Sequence, residues 1–178
     1  MNSKIETTVI MTQIGYQNLL NKISEKEKQY DQVRDHRQVA FELSGDGWHD
    51  NPEFNRMQQM EANLNHTLKA LSDRLESMRF IEIYDAMRNI QQVEIGSVVH
   101  LRRFDLADDS EQDEIWEIRG FDETDLTQQH LAYNAPLATK IMHLHAGDVA
   151  EEVQIGSRHF DIEVIEIFAT RQQAGLTG

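Results

Sequence analysis

At 178 residues the chain is long enough for one large domain or two small ones, each with a modest core. It holds no cysteine, which removes disulfides, thiolate zinc sites and cysteine nucleophiles, and no run of about 18 apolar residues that would span a membrane. The net charge of −14 is uneven, −3 over residues 1–90 and −11 over 91–178, and so acidic a C-terminal half is repelled by a phosphate backbone.

These properties favour a protein partner over direct, sequence-specific DNA binding. With no secretory leader at Met1–Glu6 and no membrane segment, the expected location is the cytoplasm.

From Thr12 to about Ser44, residues at 3.5-residue spacing (Tyr16, Leu20, Ile23, Tyr30, Phe41, with Glu27, Arg34 and Arg37 on the same seam) predict a long amphipathic helix with a polar middle. The tip that follows, residues 42–53, carries four carboxylates and no Lys or Arg. Asn51-Pro52-Glu53 then supplies a cap acceptor, a proline suited to a first helical position and an acid at the positive end of a helix dipole. The heptad series Met57, Leu64, Leu68, Leu71, Leu75, Met78 predicts the second helix. Two such helices bury their seams most easily against each other, as an antiparallel hairpin that needs no second chain, so a monomer is expected.

After about Asn89 the pattern becomes strand-like: Ser97–Phe104, Ile115–Gly120, His130–Asn134, Asp148–Ile155 and Phe160–Phe168. The alternation Phe160, Ile162, Val164 slips at Ile165, predicting a bulge or a change of exposure. Asp105–Glu114 reads as an acidic loop, Ala135–His145 as holding a short helix after Pro136, and Gly147 and Gly156 as turns. The fold class expected is α+β: a two-helix coiled-coil hairpin over residues 1–90 and a small antiparallel β-rich domain over 91–178, joined near Gln91–Gly96.

Like charges clustered on a tight turn call for a counter-charge, and hard carboxylate oxygens suit Mg²⁺ shared with a partner. The same acids, taken alone, fit equally well a solvated helix start. Trp48 has little core to enter on a two-helix turn, which points to a partner surface.

Three segments together resemble the Gre family of bacterial transcript-cleavage factors. Met11-Thr12-Gln13-Ile14-Gly15-Tyr16 with Leu19-Leu20 is similar to the family's opening. Gly45-Asp46 followed by Asp50-Asn51-Pro52-Glu53-Phe54 is similar to its tip, and Asn134-Ala135-Pro136-Leu137-Ala138 with Gly147-Asp148-Val149 to its C-terminal signature. The resemblance implies a hairpin that enters the secondary channel of RNA polymerase and an FKBP-like domain that docks at the rim. It implies that Asp46 and Asp50 share a Mg²⁺ with the polymerase active site, no cofactor being tightly bound. The factor would then be no enzyme itself but would stimulate the polymerase to cut backtracked RNA.

On this resemblance Glu53, Trp48 and Asn51 assist the tip, Arg34 and Arg37 contact the 3′ end of the nascent RNA, and Pro136 and Leu137 dock on the polymerase. Relative to the family pattern the tip is one residue longer between its acids, with Asp50 where the family has Glu, Pro52 in place of a small residue, and Ala135 in place of serine. Asp50 with Glu53 is thus an alternative acidic pair, and a non-cleaving channel binder that inhibits or modulates the polymerase is the alternative function. A two-helix adaptor without the polymerase is the third. Lys22, Lys26 and Lys28 read as a solvated face, and His143 and His145 as exposed loop residues.

Overall fold

The computed structural model describes residues 8–176, with the side chains of Asp46 and Met87 outside the described set. The chain divides into two compact units, one built on Tyr16–Met78 and one on Arg79–Gly178 together with Ile10–Gly15. The stretch Gln91–Gly96 lies within the second unit. No helix among the described residues is long and apolar enough to cross a membrane.

The first unit is a helical hairpin: α1, Gln13–Ser44, a 3-10 turn, Gly45–Asp50, and α2, Pro52–Glu76. Among the residues of α1 withdrawn from solvent, Leu19, Ile23, Lys26, Tyr30, Val33, Arg37, Ala40 and Ser44 keep an alternation of four and three, with Gly15, Tyr16, Leu20 and Gln29 beside them. On α2 the series Phe54, Met57, Glu61, Leu64, Leu68, Leu71 and Leu75 does the same, with Thr67, Ala70 and Arg74 half-buried beside it. That is the heptad rhythm of a coiled coil. The second seam follows the sequence, except that α2 stops at Glu76 and Met78 opens a short strand.

The distal half of the first seam differs from expectation. Val33, Arg37 and Ala40 line it, while Glu27, Arg34 and Phe41 lie outside. The reason is bulk: Phe41 is the larger apolar residue and draws the eye, but the α1 position facing the partner helix belongs to the small Ala40, 6% exposed. The polar middle is real. Glu61 accepts from the Tyr30 hydroxyl at 3.2 Å and pairs with Arg37 at 2.9 Å, so helices about 48 and 38 Å long by their rise per residue carry a charged layer between apolar ones.

In the second unit, strands β3 (Val98–Asp105), β4 (Glu111–Arg119), β5 (His130–Ala132), β6 (Val149–Ile155) and β7 (Arg158–Phe168) form one sheet in the order β5-β4-β3-β7-β6. A separate two-stranded sheet joins β1, Val9–Met11, to β2, Met78–Phe80. Helix α3, Pro136–Ile141, starts at its proline and buries Leu137, Ala138 and Ile141 in the main core with Val99, Leu101, Ile118, Val153, Ile162 and Val164. The expected short helix is therefore a wall of the core.

Two sequence readings are corrected here. The sheet is not wholly antiparallel, because β5 runs parallel to β4, Glu117 facing His130. The acidic stretch 105–114 is only half loop: Asp105 ends β3, Glu111–Glu114 belong to β4, and residues 106–110 make the turn. Cross-strand charge explains it. Asp113 sits opposite Arg102 and takes two hydrogen bonds from it at 2.8 and 3.1 Å, and Glu114 lies 3.8 Å from Arg103, so two of these acids find a cation on β3.

The slip in β7 is a bulge. His100 pairs with Glu166 and Leu101 with Val164, which leaves Ile165 unopposed and lets Ile162, Val164 and Ile167 all turn inward.

The start of α1 is set by a buried carboxylate. Thr12 donates to Glu123 from its amide and its hydroxyl, both at 2.7 Å, while the same hydroxyl accepts from the Ile14 amide as a helix cap. Glu123 is 6% exposed. Gly15 and Gly120 make room for it: a Cβ on either would fall inside van der Waals contact with Glu123 Oε1, and one on Gly120 would also meet the Met11 backbone.

Candidate functional site

The hairpin tip is assembled by local rules. Gly45, with φ +52°, takes the left-handed conformation that stops α1, and the chain winds a 3-10 turn to Asp50. Asn51 then accepts from the amides of Glu53 at 2.9 Å and Phe54 at 3.4 Å, capping α2, and its own amide donates to Ala40 O at 3.2 Å and to Ser44 Oγ. One asparagine thus caps the second helix and ties it to the end of the first.

Trp48 does find a core, contrary to the sequence reading. Its ring lies 5.8 Å from Phe41, 5.0 Å from Phe54 and 3.4 Å from the His49 imidazole. Each aromatic pair contributes about 0.5–1.5 kcal/mol beyond area burial, enough to hold a six-residue turn in one shape. The Phe41 displaced from the coiled-coil seam is used here.

The acids of the tip differ in their surroundings. Asp50 closes the 3-10 turn and is exposed. Glu53, in the first turn of α2, receives two hydrogen bonds from Arg56 at 2.9 and 3.1 Å, which hold its carboxyl below the usual range. The counter-charge missing from residues 42–53 is supplied for Glu53 by a residue just beyond them. The backbone of Asp46 belongs to the 3-10 turn, and its side chain lies outside the described residues. Among the described residues no group of three or more His, Asp or Glu gathers as a metal site. The donor chemistry fits Mg²⁺ as a shared ion, since that ion takes one or two protein carboxylates and leaves its other positions to water and phosphate.

The two arginines on α1 part company. Arg37 lies on the seam with Glu61, whereas Arg34 is exposed and 3.4 Å from Asp31 on its own helix. Lys26 donates to Gln29 at 2.9 Å. In the second unit Pro136 is exposed and Leu137, 7% exposed, is a core residue. His143 and His145 are exposed, and His145 Nδ1 lies 3.2 Å from Asp148.

Sequence reasoning missed a second constellation. Glu117, 1% exposed on β4, is met by Arg88 at 3.1 Å, Arg119 at 3.3 Å, His130 at 3.3 Å and Arg171. Burial pushes its carboxyl up, but Arg119, Arg171 and Arg88 outweigh that and hold it below the usual range. The only local signal was Glu117-x-Arg119, two charges on one face of a strand. The other partners come from 13 to 54 residues away by topology alone.

Residues 88–168 match the family model described as the C-terminal domain of the transcription elongation factors GreA and GreB. Similar solved structures include GreA factor homolog 1 (Gfh1) of Thermus thermophilus, 18% identical over 90% of this chain and 98% of that one, TM-score 0.41. Thermus aquaticus Gfh1 is 19% identical over 89% and 97%, TM-score 0.40, and a GreA/GreB factor of Nitrosomonas europaea 14% over 90% and 97%, TM-score 0.35. No curated protein matches the chain. Residues 88–168 are thus similar to the C-terminal domain of the GreA/GreB transcription elongation factors, and the family likeness rests on that domain.

Proposed function

We propose that the chain binds bacterial RNA polymerase, that its hairpin enters the secondary channel, and that its tip stimulates Mg²⁺-dependent cleavage of backtracked RNA by the polymerase itself. The observation that carries this reading is the presence in one chain of a GreA/GreB C-terminal domain and a hairpin of 32 and 25 helical residues ending in a rigid acidic turn. Asp46 and Asp50 are the carboxylates assigned to the shared ion, which would activate water and stabilise the leaving oxygen when bound. Asn51 holds the end of the turn against both helices, and the Trp48 cluster keeps it from unwinding. Arg34, exposed on α1, is the better of the two arginines for the RNA 3′ end, since Arg37 is engaged by Glu61. Pro136 is the surface residue of the docking pair.

A second reading is a channel binder that modulates the polymerase without cleavage. What favours it is the tip's length: it is one residue longer between Asp46 and Asp50 than the family pattern, and metal geometry tolerates little misplacement.

The test is to incubate the protein with a backtracked elongation complex and Mg²⁺ and resolve end-labelled RNA on a gel beside Asp46→Ala/Asp50→Ala. Short 3′ fragments absent with the variant are expected. Binding without fragments would favour the second reading, and absence of binding would overturn both.

A further inference from the structure

Basic residues are scarce in the acidic half of this chain, six among residues 91–178. Two of them, Arg119 and Arg171, are nevertheless turned toward a single buried carboxylate that Arg88 already engages. Arg88 is satisfied: Asp85 receives its Nε at 2.8 Å, Gly96 O its Nη1 and Glu117 its Nη2. Glu117 is also filled, with Arg88 and Arg119 on Oε1 and Arg171 and His130 on Oε2. Arg119 and Arg171 therefore share one charge that is already shared.

Their remaining donors lack good acceptors. Arg119 Nε is buried without a hydrogen-bond partner among the described residues, its nearest acid being Glu123 at 3.7 Å. Arg171 Nη2 reaches only the Gln128 carbonyl, at 3.3 Å. The side chains of Arg88, Arg119, His130 and Arg171, with the acids Asp85 and Glu117, line an open cavity of about 410 Å³ on the face of β4 opposite the main core, since Ile118 between Glu117 and Arg119 points into that core. The volume falls in the range of small-ligand pockets, about 300–1,000 Å³.

We propose that this cavity binds a phosphoryl oxyanion, held by the guanidinium forks of Arg119 and Arg171 with His130 beside them. Planar guanidinium forks match the paired oxygens of a phosphate, and two forks from different elements match a multiply charged tetrahedral anion better than a single carboxylate. Glu117 acts as the internal tether that keeps three arginines together when the anion is absent. His130 adds a readout. Burial first, then Arg119 and Arg171, hold its imidazole below the ordinary range, against the opposite pull of Glu117 and Asp125. An added anion opposes the arginines, so binding raises the midpoint of the imidazole.

Orthophosphate and pyrophosphate, titrated separately into the full chain at constant ionic strength, test the proposal by NMR of arginine Nε–H and the His130 ring. Saturable binding with a dissociation constant on the order of 1 mM or tighter is expected, with the His130 midpoint moving up. Arg171→Gln should weaken it by about tenfold or more, the loss expected for charged hydrogen bonds. Arg171→Lys keeps a cation for Glu117 and serves as the folded control, expected to weaken binding several-fold. Pyrophosphate binding tighter than orthophosphate would assign the site to a phosphate chain such as a nucleotide end, and equal binding to free phosphate. Either anion acting no differently from chloride, or Arg171→Lys binding as well as the parent, would overturn the proposal.

Discussion

Glu117 is one side chain with four cationic or titratable neighbours, and its protonation state matters to all of them. Its pKa is lowered in the folded state, so the stability it contributes is present above the unfolded value near 4.5 and is lost as pH falls below it. Removing the carboxylate leaves three guanidiniums converging on nothing. Glu117→Ala should destabilise the second unit by about 3–5 kcal/mol at neutral pH, and Glu117→Gln should flatten the acid limb of its stability curve. Urea unfolding at pH 7 and pH 4 checks both.

At the scale of the element, the hairpin carries a charged layer where most coiled coils are apolar. Arg37 is one-third exposed and Glu61 largely buried, with Oε2 of Glu61 lacking a well-formed hydrogen bond despite the ion pair. Such a layer fixes register more than it stabilises. Replacing both partners by leucine should leave the hairpin as stable or raise it by about 1–4 kcal/mol, whereas Glu61→Leu alone, which strands Arg37, should lower it. Thermal unfolding of the two variants decides this. The second helix was legible because leucines repeat on it and Asn51-Pro52-Glu53 marks its start. The distal half of the first was not, because its seam is made of Val33, Arg37 and Ala40 while the bulkier Phe41 serves the tip instead. A pattern reader weighs size, and the fold used smallness.

For the whole molecule, the division into two units has a convenient reporter. The two tryptophans lie one in each, Trp48 at the hairpin tip and Trp116 packed against the β core. Trp48→Phe and Trp116→Phe should therefore each show a single fluorescence transition in denaturant, with different midpoints, and the one read by Trp116 should move further to lower denaturant at pH 4, since the buried Glu117 belongs to that unit. Coincident midpoints at both pH values would mean that the units unfold together. The class of the fold, the start of α2, the five strands of the main sheet and the β7 irregularity were visible in local pattern; the short β1 and β2 and the parallel direction of β5 were not. The Glu117 constellation was not, because Arg88, His130 and Arg171 meet it only through the parallel β4–β5 pairing and the return of the chain after β7.

Ile165 gives the chain a tolerance that a central strand does not usually have. Losing one residue from such a strand ordinarily turns every following side chain to the wrong face. Here Val164 and Glu166 already occupy consecutive rungs against Leu101 and His100, and the β6 pairing extends only to Glu163. A chain lacking Ile165 would close the ladder as a regular strand with Ile162, Val164 and Ile167 still inward, so the loss of one residue at this point of β7 would leave the core packed as it is.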